Sequence, residues 1–309
     1  MRAELITHNH DDLTVVNAAR VSFGKTSSEI DDKDTRLIRY LANHRHWTPF
    51  GHARLRFSLD AYPTNVEFLA WAGDEAARAG FEWSIVDGRL GIEGSAFGWL
   101  ASPPPLAASA LRAISVALAR QLPHSFRALM SETIAYHWSQ AEAVHGYSDA
   151  VAKQLPATSK TFRLSMPIFV ARQWMRSNIG VVYNETSRRY VDDMPTFWEP
   201  DAWRTRPEKG IKQGSGELAS VKIQGRAGNI TGYSTGTALR TYQELLELDL
   251  APEMARTILP QSMMTELWMT ATPSALRRII ALRDGTDGHP QKEIQDLAAK
   301  VVEAMADED

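Results

Sequence analysis

Between Arg172 and Tyr190 the chain reads RQWMRSNIGVVYNETSRRY, which crowds Arg172, Arg176, Arg188 and Arg189 around a short apolar patch. Arg172 and Arg176 are four residues apart, so on a helix they share a face, with Gln173 beside them. Beyond GVVY, the polar run NETSRRY gathers Glu185, Ser187, Arg188 and Arg189. A hydroxyl beside planar guanidinium groups suits bidentate recognition of phosphate oxygens. The same residues suit a solvated basic helix end, and taken alone they leave both readings open. Ser187 has no GxSxG elbow around it, which argues against a serine nucleophile. Two further arginines stand beside apolar residues, Arg256 in EMARTILP and Arg283 at the end of SALRRIIALR. Snorkelling along those neighbours is the ordinary explanation for either one.

The composition narrows the chemistry. The 309 residues include no cysteine, so a disulfide framework, a thiolate zinc site and a cysteine nucleophile are all excluded. His44, His46 and His52 in HRHWTPFGH invite a metal reading, but His-x-His is strand spacing and no carboxylate stands close by. Neither a Walker A sequence nor a GxGxxG after a strand is present. A formal net charge of −3 gives no global case for nucleic acid or a membrane surface. No apolar run is long enough to span a bilayer, and MRAELITHNHDD lacks a signal-peptide core, so the expected location is the cytoplasm.

These side chains need elements to position them. The 44% hydrophobic content supports one large domain or two ordinary ones. Helices are expected over 11–23, capped by Asp12, and over 32–44. HARLRFSLD and TFRLSMP alternate as half-buried strands, the second running into a helix through IFVARQW. Asp87-Gly88 sits between two alternating runs, a hairpin signal. Helices are expected over 107–122, 125–137, 241–248, 252–259, 274–283 and 291–305, whereas 204–237 reads as a mobile surface loop. The texture of 61–160 suggests a mostly helical insertion into a core formed by 1–60 and 161–309.

Several blocks, taken in order, resemble the flavin-dependent thymidylate synthases. They are AARVSF, HRHWTPFGH, MPIFVARQWMR, YNETSRRY, GIKQGSGE, EMARTILP, ALRRIIALR and HPQKEI, which span nearly the whole chain outside 61–160. The resemblance implies an α/β (α+β) fold around a curved antiparallel sheet flanked by helices, in a homotetramer with sites shared between subunits. It implies methylene transfer from methylenetetrahydrofolate to C5 of a uridylate, with FAD as cofactor and NADPH as reductant. A cysteine-free chain is compatible with that chemistry. By position, Gln173, Arg176, Glu185, Ser187, Arg188, Arg189 and Arg256 would hold the nucleotide. Arg283 would face the pyrimidine carbonyls and stabilise their charge, which makes it the expected catalytic residue. Ser22, His46, Thr48 and Arg176 to Asn178 would touch FAD.

The chain also departs from that family. The family motif is Arg-His-Arg, seven residues, then Ser, whereas this chain has Arg176-Ser177-Asn178, eight residues, then Ser187. Thr272 and Ser274 stand where the family often has Asn and Arg at its C-terminal FAD positions, with Arg278 one turn later as a compensating cation. Gly51 replaces a common acidic residue. Rebuilt flavin contacts beside retained nucleotide arginines are similar to a divergent member, such as the UMP C5-methylase of polyoxin-type antibiotic pathways. The expected substrates are therefore UMP and/or dUMP, with strict dUMP synthesis or a catalytically silent nucleotide-binding relative as the alternatives.

Overall fold

The computed structural model describes residues 1–59, 66–142, 152–190, 193–208, 214–286 and 289–306. Residues 210–213 of the GIKQGSGE block lie outside that set, as does the expected boundary at 60–61. The strands are β1 (Arg2–Ile6), β2 (Arg54–Leu59), β3 (Glu82–Val86), β4 (Arg89–Ser95), β5 (Ala152–Leu155), β6 (Lys160–Pro167), β7 (Val181–Glu185) and β8 (Met264–Ala271). They form two four-stranded sheets, β1-β6-β8-β7 and β3-β4-β2-β5, in which every pairing is antiparallel. The fold is thus α/β, with antiparallel sheets flanked by helices.

The first sheet follows directly from strand alternation. Phe162, Leu164 and Met166 fall two residues apart on β6 and are fully buried. They pack with Leu267 and Met269 of β8 against Trp174 of the helix Ile168–Trp174. Leu276 and Ile279 of Pro273–Arg283 and Ile294, Leu297 and Val301 of Lys292–Ala306 close the same core.

The second sheet is built largely from the middle of the chain, since β3, β4 and β5 all lie within 61–160. β3 and β4 are joined by Asp87 (φ 52°) and Gly88 (φ 75°), two consecutive left-handed residues. That two-residue turn matches the right-handed twist of the paired strands. Phe81 lies flat over Gly94, where a Cβ would stand 2.1 Å from its ring. Leu55, Phe57, Ile92 and Trp99 form the core beneath, with Ile114 and Leu118 of the helix Ala108–Gln121. Glu93 is buried in this layer and accepts from Thr158 N at 2.6 Å, Ser159 N at 3.1 Å and both hydroxyls of that pair. Burial alone would raise its pKa, but the Arg54 charge and these hydrogen bonds outweigh it and hold the carboxyl below its usual range.

Several local expectations are corrected. Asp11, rather than Asp12, caps the helix Asp12–Arg20, in a reciprocal box with Thr14. Asp12 is 3% exposed and instead receives His124 N at 2.7 Å and Ser125 N at 2.9 Å, so it caps the helix Pro123–Leu129. The helix expected over 125–137 is two helices, Pro123–Leu129 and Glu132–Glu142. The largest correction falls on 204–237, where the expected loop gives way to the 27-residue helix Val221–Glu247. Its four glycines each weaken a helix by about 1 kcal/mol, which is why the stretch reads as a loop. Yet Gly225, Gly228, Gly232 and Gly236 recur every three or four residues, a helical spacing. Among the described residues no helix is long and apolar enough to cross a membrane.

A buried polar chain joins the two sheets. His8 Nε2 contacts Thr161 Oγ1, Thr161 Oγ1 contacts Thr270 Oγ1, and Thr270 Oγ1 contacts His52 Nδ1, each at 2.7 Å. His52 Nε2 reaches Asn184 Oδ1 at 3.3 Å. Burial lowers the pKa of His52 to about 4, and burial with the neighbouring His10 and His52 lowers that of His8 to about 3. A depressed folded-state pKa means stability is complete above the unfolded value of about 6.5 and declines as pH falls toward the folded value. Loss of His52 neutrality costs on the order of 3 kcal/mol across that window. Thermal melts should show the midpoint falling between pH 7 and pH 4.5, with His52→Gln flattening the slope; an unchanged wild-type midpoint contradicts this. Below the normal carboxylate range Glu93 adds a second acid loss, and Glu93→Ala should cost about 3–5 kcal/mol at neutral pH.

Candidate active site

β7 ends at Glu185, and the next residues turn into a cleft of about 1090 Å³. The turn is pinned by Thr186 N donating to Glu266 O at 2.8 Å and Ser187 N donating to Ser22 O at 3.2 Å. In return Ser22 Oγ donates to Glu185 O at 3.0 Å. The Glu185 carboxylate accepts from Thr265 Oγ1 at 2.7 Å, and Arg189 Nε donates to Ser187 Oγ at 3.2 Å. The Arg189 guanidinium lies 5.0 Å from the centre of the Tyr190 ring, which stacks on Phe23 at 4.6 Å. Ser22, Glu185, Ser187, Arg188, Arg189 and Arg256 therefore share one cleft. Arg172 lines it as well.

The charges around this cleft are not equivalent. Arg188 is paired with Asp193 at 3.2 Å. Arg172, Arg189 and Arg256 have no carboxylate partner among the described residues. Glu185, Asp193, Glu253 and Glu266 also line the cleft, but none of them is salt-bridged to these three arginines, so their guanidinium groups and the Ser187 hydroxyl can hold a dianion.

A second group forms around the Arg176-Ser177-Asn178 turn. Arg283 Nη2 donates to Gln173 O at 3.1 Å, Tyr183 Oη donates to Ser177 O at 2.8 Å, and Arg278 donates to Ile179 O. Tyr183 and Arg278 thus satisfy carbonyls in and just after the turn, and Arg283 one in the last turn of the helix Ile168–Trp174. Gln173 Nε2 also donates to Gln291 Oε1 at 2.7 Å. Burial and then the Arg176 charge lower the Arg283 pKa, and its buried Nε has no hydrogen-bond partner among the described residues. Burial raises the pKa of the Tyr183 hydroxyl despite nearby Arg278 and Arg283, so it stays a donor.

Asn178 and Thr272 line a separate cavity of about 420 Å³. Thr272 caps the helix Pro273–Arg283 through Ala275 N at 3.3 Å, and Ser274 Oγ donates to Glu82 Oε2 at 3.1 Å. Gln173, Arg176, Ser177, Ser274, Arg278 and Arg283 line neither cavity within one chain. His46 and Thr48 also line neither; both are exposed, and His46 lies edge-on to Tyr40 at 6.1 Å. Arg54 lines the smaller cavity and carries no expectation from the sequence. In HARLRFSLD it falls opposite Leu55 and Phe57, on the face that alternation assigns to solvent.

These features define an α/β protein with an arginine-lined cleft and a second cavity where its two sheets meet. The family described as Thymidylate synthase complementing protein matches residues 4–67 and 126–309, leaving out the stretch that carries β3, β4 and the helix Ala108–Gln121. A flavin-dependent thymidylate synthase of Aquifex aeolicus is 31% identical over 320 residues, covering 95% of this chain and 94% of that protein. The Thermosipho melanesiensis flavin-dependent thymidylate synthase is 38% identical over 141 residues, covering 46% of this chain and 60% of its own. The crystal structure of the UMP/dUMP methylase PolB from Streptomyces cacaoi bound with 5-Br UMP aligns at 21% identity and TM-score 0.47, covering 99% of this chain and 88% of that one. The chain belongs to the flavin-dependent thymidylate synthase family and is an enzyme of that class.

Gly180, between the turn and β7, has φ +72°, and a Cβ there would stand 2.8 Å from Thr272 Oγ1. Gly180→Ala should therefore cost roughly 1–3 kcal/mol through strain and overpacking. The expected drop in Tm is several degrees; an alanine variant melting with the wild type would show that the turn relaxes freely.

Proposed function

We propose that this enzyme methylates C5 of a uridine nucleotide, UMP and dUMP, using methylenetetrahydrofolate as carbon donor and NADPH as reductant on bound FAD. One observation carries the reading: Ser187 and three arginines without carboxylate partners face one cleft large enough for a nucleotide. Arg189, already oriented by Ser187 Oγ, and Arg256 would grip the phosphate, while Arg172 adds charge at the rim. Glu185, fixed by Thr265, would accept a hydrogen bond from the sugar.

The residues at the smaller cavity fit a flavin nucleotide. Asn178 and Thr272 supply amide and hydroxyl groups, Arg54 supplies a cation, and the backbone of Gly51 and Gly180 lines the same space. Ser22 would contact the flavin from the larger cleft, with His46, Thr48, Ser177, Ser274 and Arg278 around it. When bound, FAD reduced by NADPH supplies the hydride that completes the methyl group.

Arg283 is the proposed catalytic residue. Its guanidinium is held at one end by Gln173 O and has a free buried Nε at the other. A lowered but still cationic pKa suits it to stabilise charge on pyrimidine N3 and the adjacent oxygen. Gln173 and Arg176 stand beside it. Because Arg283 and the larger cleft are separate in one chain, the reading completes the site across subunits of a homotetramer. The helix Val221–Glu247, with Val221 90% and Tyr233 75% exposed, offers contact surface for that assembly.

Purified protein should be yellow or take up FAD, and should convert UMP and dUMP to their 5-methyl products with methylenetetrahydrofolate and NADPH. Side-by-side turnover sets the sugar preference, and absence of product from both nucleotides defeats the proposal. Arg283→Ala should lower kcat/KM by ~100-fold or more while FAD remains bound. Near-normal turnover would remove Arg283 from its role.

A further inference from the structure

Arg54 is a buried cation with too few partners. It is 6% exposed at the start of β2, and only Nη1 makes a side-chain hydrogen bond, to Gly80 O at 2.7 Å. Nε faces Glu93 Oε1 at 3.5 Å without a hydrogen bond, and Nη2 has no partner among the described residues. Glu93 does not fill the gap, because Thr158 and Ser159 already supply its two oxygens with four donors. A buried guanidinium with unpaired N–H groups is costly unless an acceptor arrives from elsewhere.

The acceptor has a place to sit. Arg54 lines the cavity of about 420 Å³ where the two sheets meet, and it is the one charged side chain in that lining among the described residues. The polar neighbours there are Ser95, Asn178, Thr270 and Thr272, none of them anionic. Gly51 lines the cavity without a side chain. A cavity whose one charged lining side chain is a guanidinium, ion-paired with Glu93 at 3.5 Å but with Nη2 unbonded, suits an anion with planar or tetrahedral oxygens.

We propose that Arg54 is the anion-recognition residue of this cavity and that its ligand is a phosphate of the flavin nucleotide. The assignment rests on the reading of the cavity as a flavin subsite. It explains how this chain keeps a cationic cofactor contact with Ser177 and Asn178 in its central motif: the charge comes from β2 across the cavity, beside Asn178.

The test compares binding of FAD and of riboflavin, which has no phosphate, by flavin fluorescence. The proteins are the full-length wild type, Arg54→Met and the double variant Arg54→Met/Glu93→Gln. The double variant leaves no uncompensated buried carboxylate, and its Gln can still accept from Thr158 or Ser159, so it is the milder change for the fold; circular dichroism confirms that each protein compared is folded. Loss of a charge-assisted hydrogen bond should weaken FAD binding roughly tenfold to a hundredfold, with riboflavin affinity unchanged. Unchanged FAD affinity in a folded variant overturns the assignment, as does an equal loss for FAD and riboflavin, which marks a structural role. Failure of the wild type to bind FAD at all overturns the flavin reading itself, and the phosphate assignment with it.

Discussion

The polar chain His8–Thr161–Thr270–His52–Asn184 has one consistent direction when its histidines are neutral. His52 Nε2 faces the Asn184 Oδ1 acceptor, so it carries the proton and Nδ1 accepts from Thr270. Thr270 then accepts from Thr161, and Thr161 from His8 Nε2. His8 Nδ1 is left to accept from His10 N at 3.3 Å, and His10 Nδ1 accepts from Arg54 N at 3.2 Å. Protonating His52 would place two donors against each other at its buried Nδ1. One hydrogen-bond direction therefore fixes β6, β7 and β8 of the first sheet relative to the segment that enters β2 of the second.

That junction sets the surroundings of the smaller cavity. Thr270 belongs both to the chain and to the cavity lining, and Arg54 closes the opposite wall. The sheets can meet here because each polar group is answered locally, apart from the Arg54 guanidinium. The second sheet is thus more than an appendage, since it places a charged side chain against residues of the first. A purely apolar interface would have packed as tightly but offered a ligand nothing to recognise.

The order of elements was largely legible in the sequence, because alternation and caps are local signals. The strand-to-helix passage at TFRLSMPIFVARQW and the Asp87-Gly88 turn follow from periodicity and backbone freedom alone. Only the end of the helix Val221–Glu247, expected over 241–248, was legible; the glycines before it suppress propensity and its apolar residues face outward within one chain. The second sheet was hidden for another reason: its central strand β2 pairs with strands far along the chain, Leu59 lying opposite both Leu90 of β4 and Ala152 of β5. Within the site, the grouping of Ser22 with Ser187 required β7 to be placed beside the turn Val21–Phe23, a contact between residues far apart in the chain. Arg54 was missed because the outward face of β2 is buried only at its first residue; Arg56 and Ser58 on the same face stay partly exposed, as alternation expects.

β7 also limits how the two cavities can cooperate. Val181 and Val182 line the smaller one and Glu185 the larger, so a single five-residue strand borders both. At about 3.4 Å per residue, Val182 and Glu185 are roughly 10 Å apart along the strand. That is the scale of one ring system and its sugar, short enough for one cofactor to approach a nucleotide held at Ser187. β7 pairs with β8 residue for residue, from Val181 opposite Ala271 to Glu185 opposite Leu267, with no bulge. The extra residue that the family resemblance implies between Asn178 and Ser187 would therefore fall in the turns on either side of β7, at Ile179-Gly180 or Thr186. A shift within the strand would have turned Glu185 away from Thr265 and exchanged the faces that Val182 and Asn184 present. A residue added in either turn would alter the ends of the strand, where the ligands would meet the chain, and leave the distance between them unchanged.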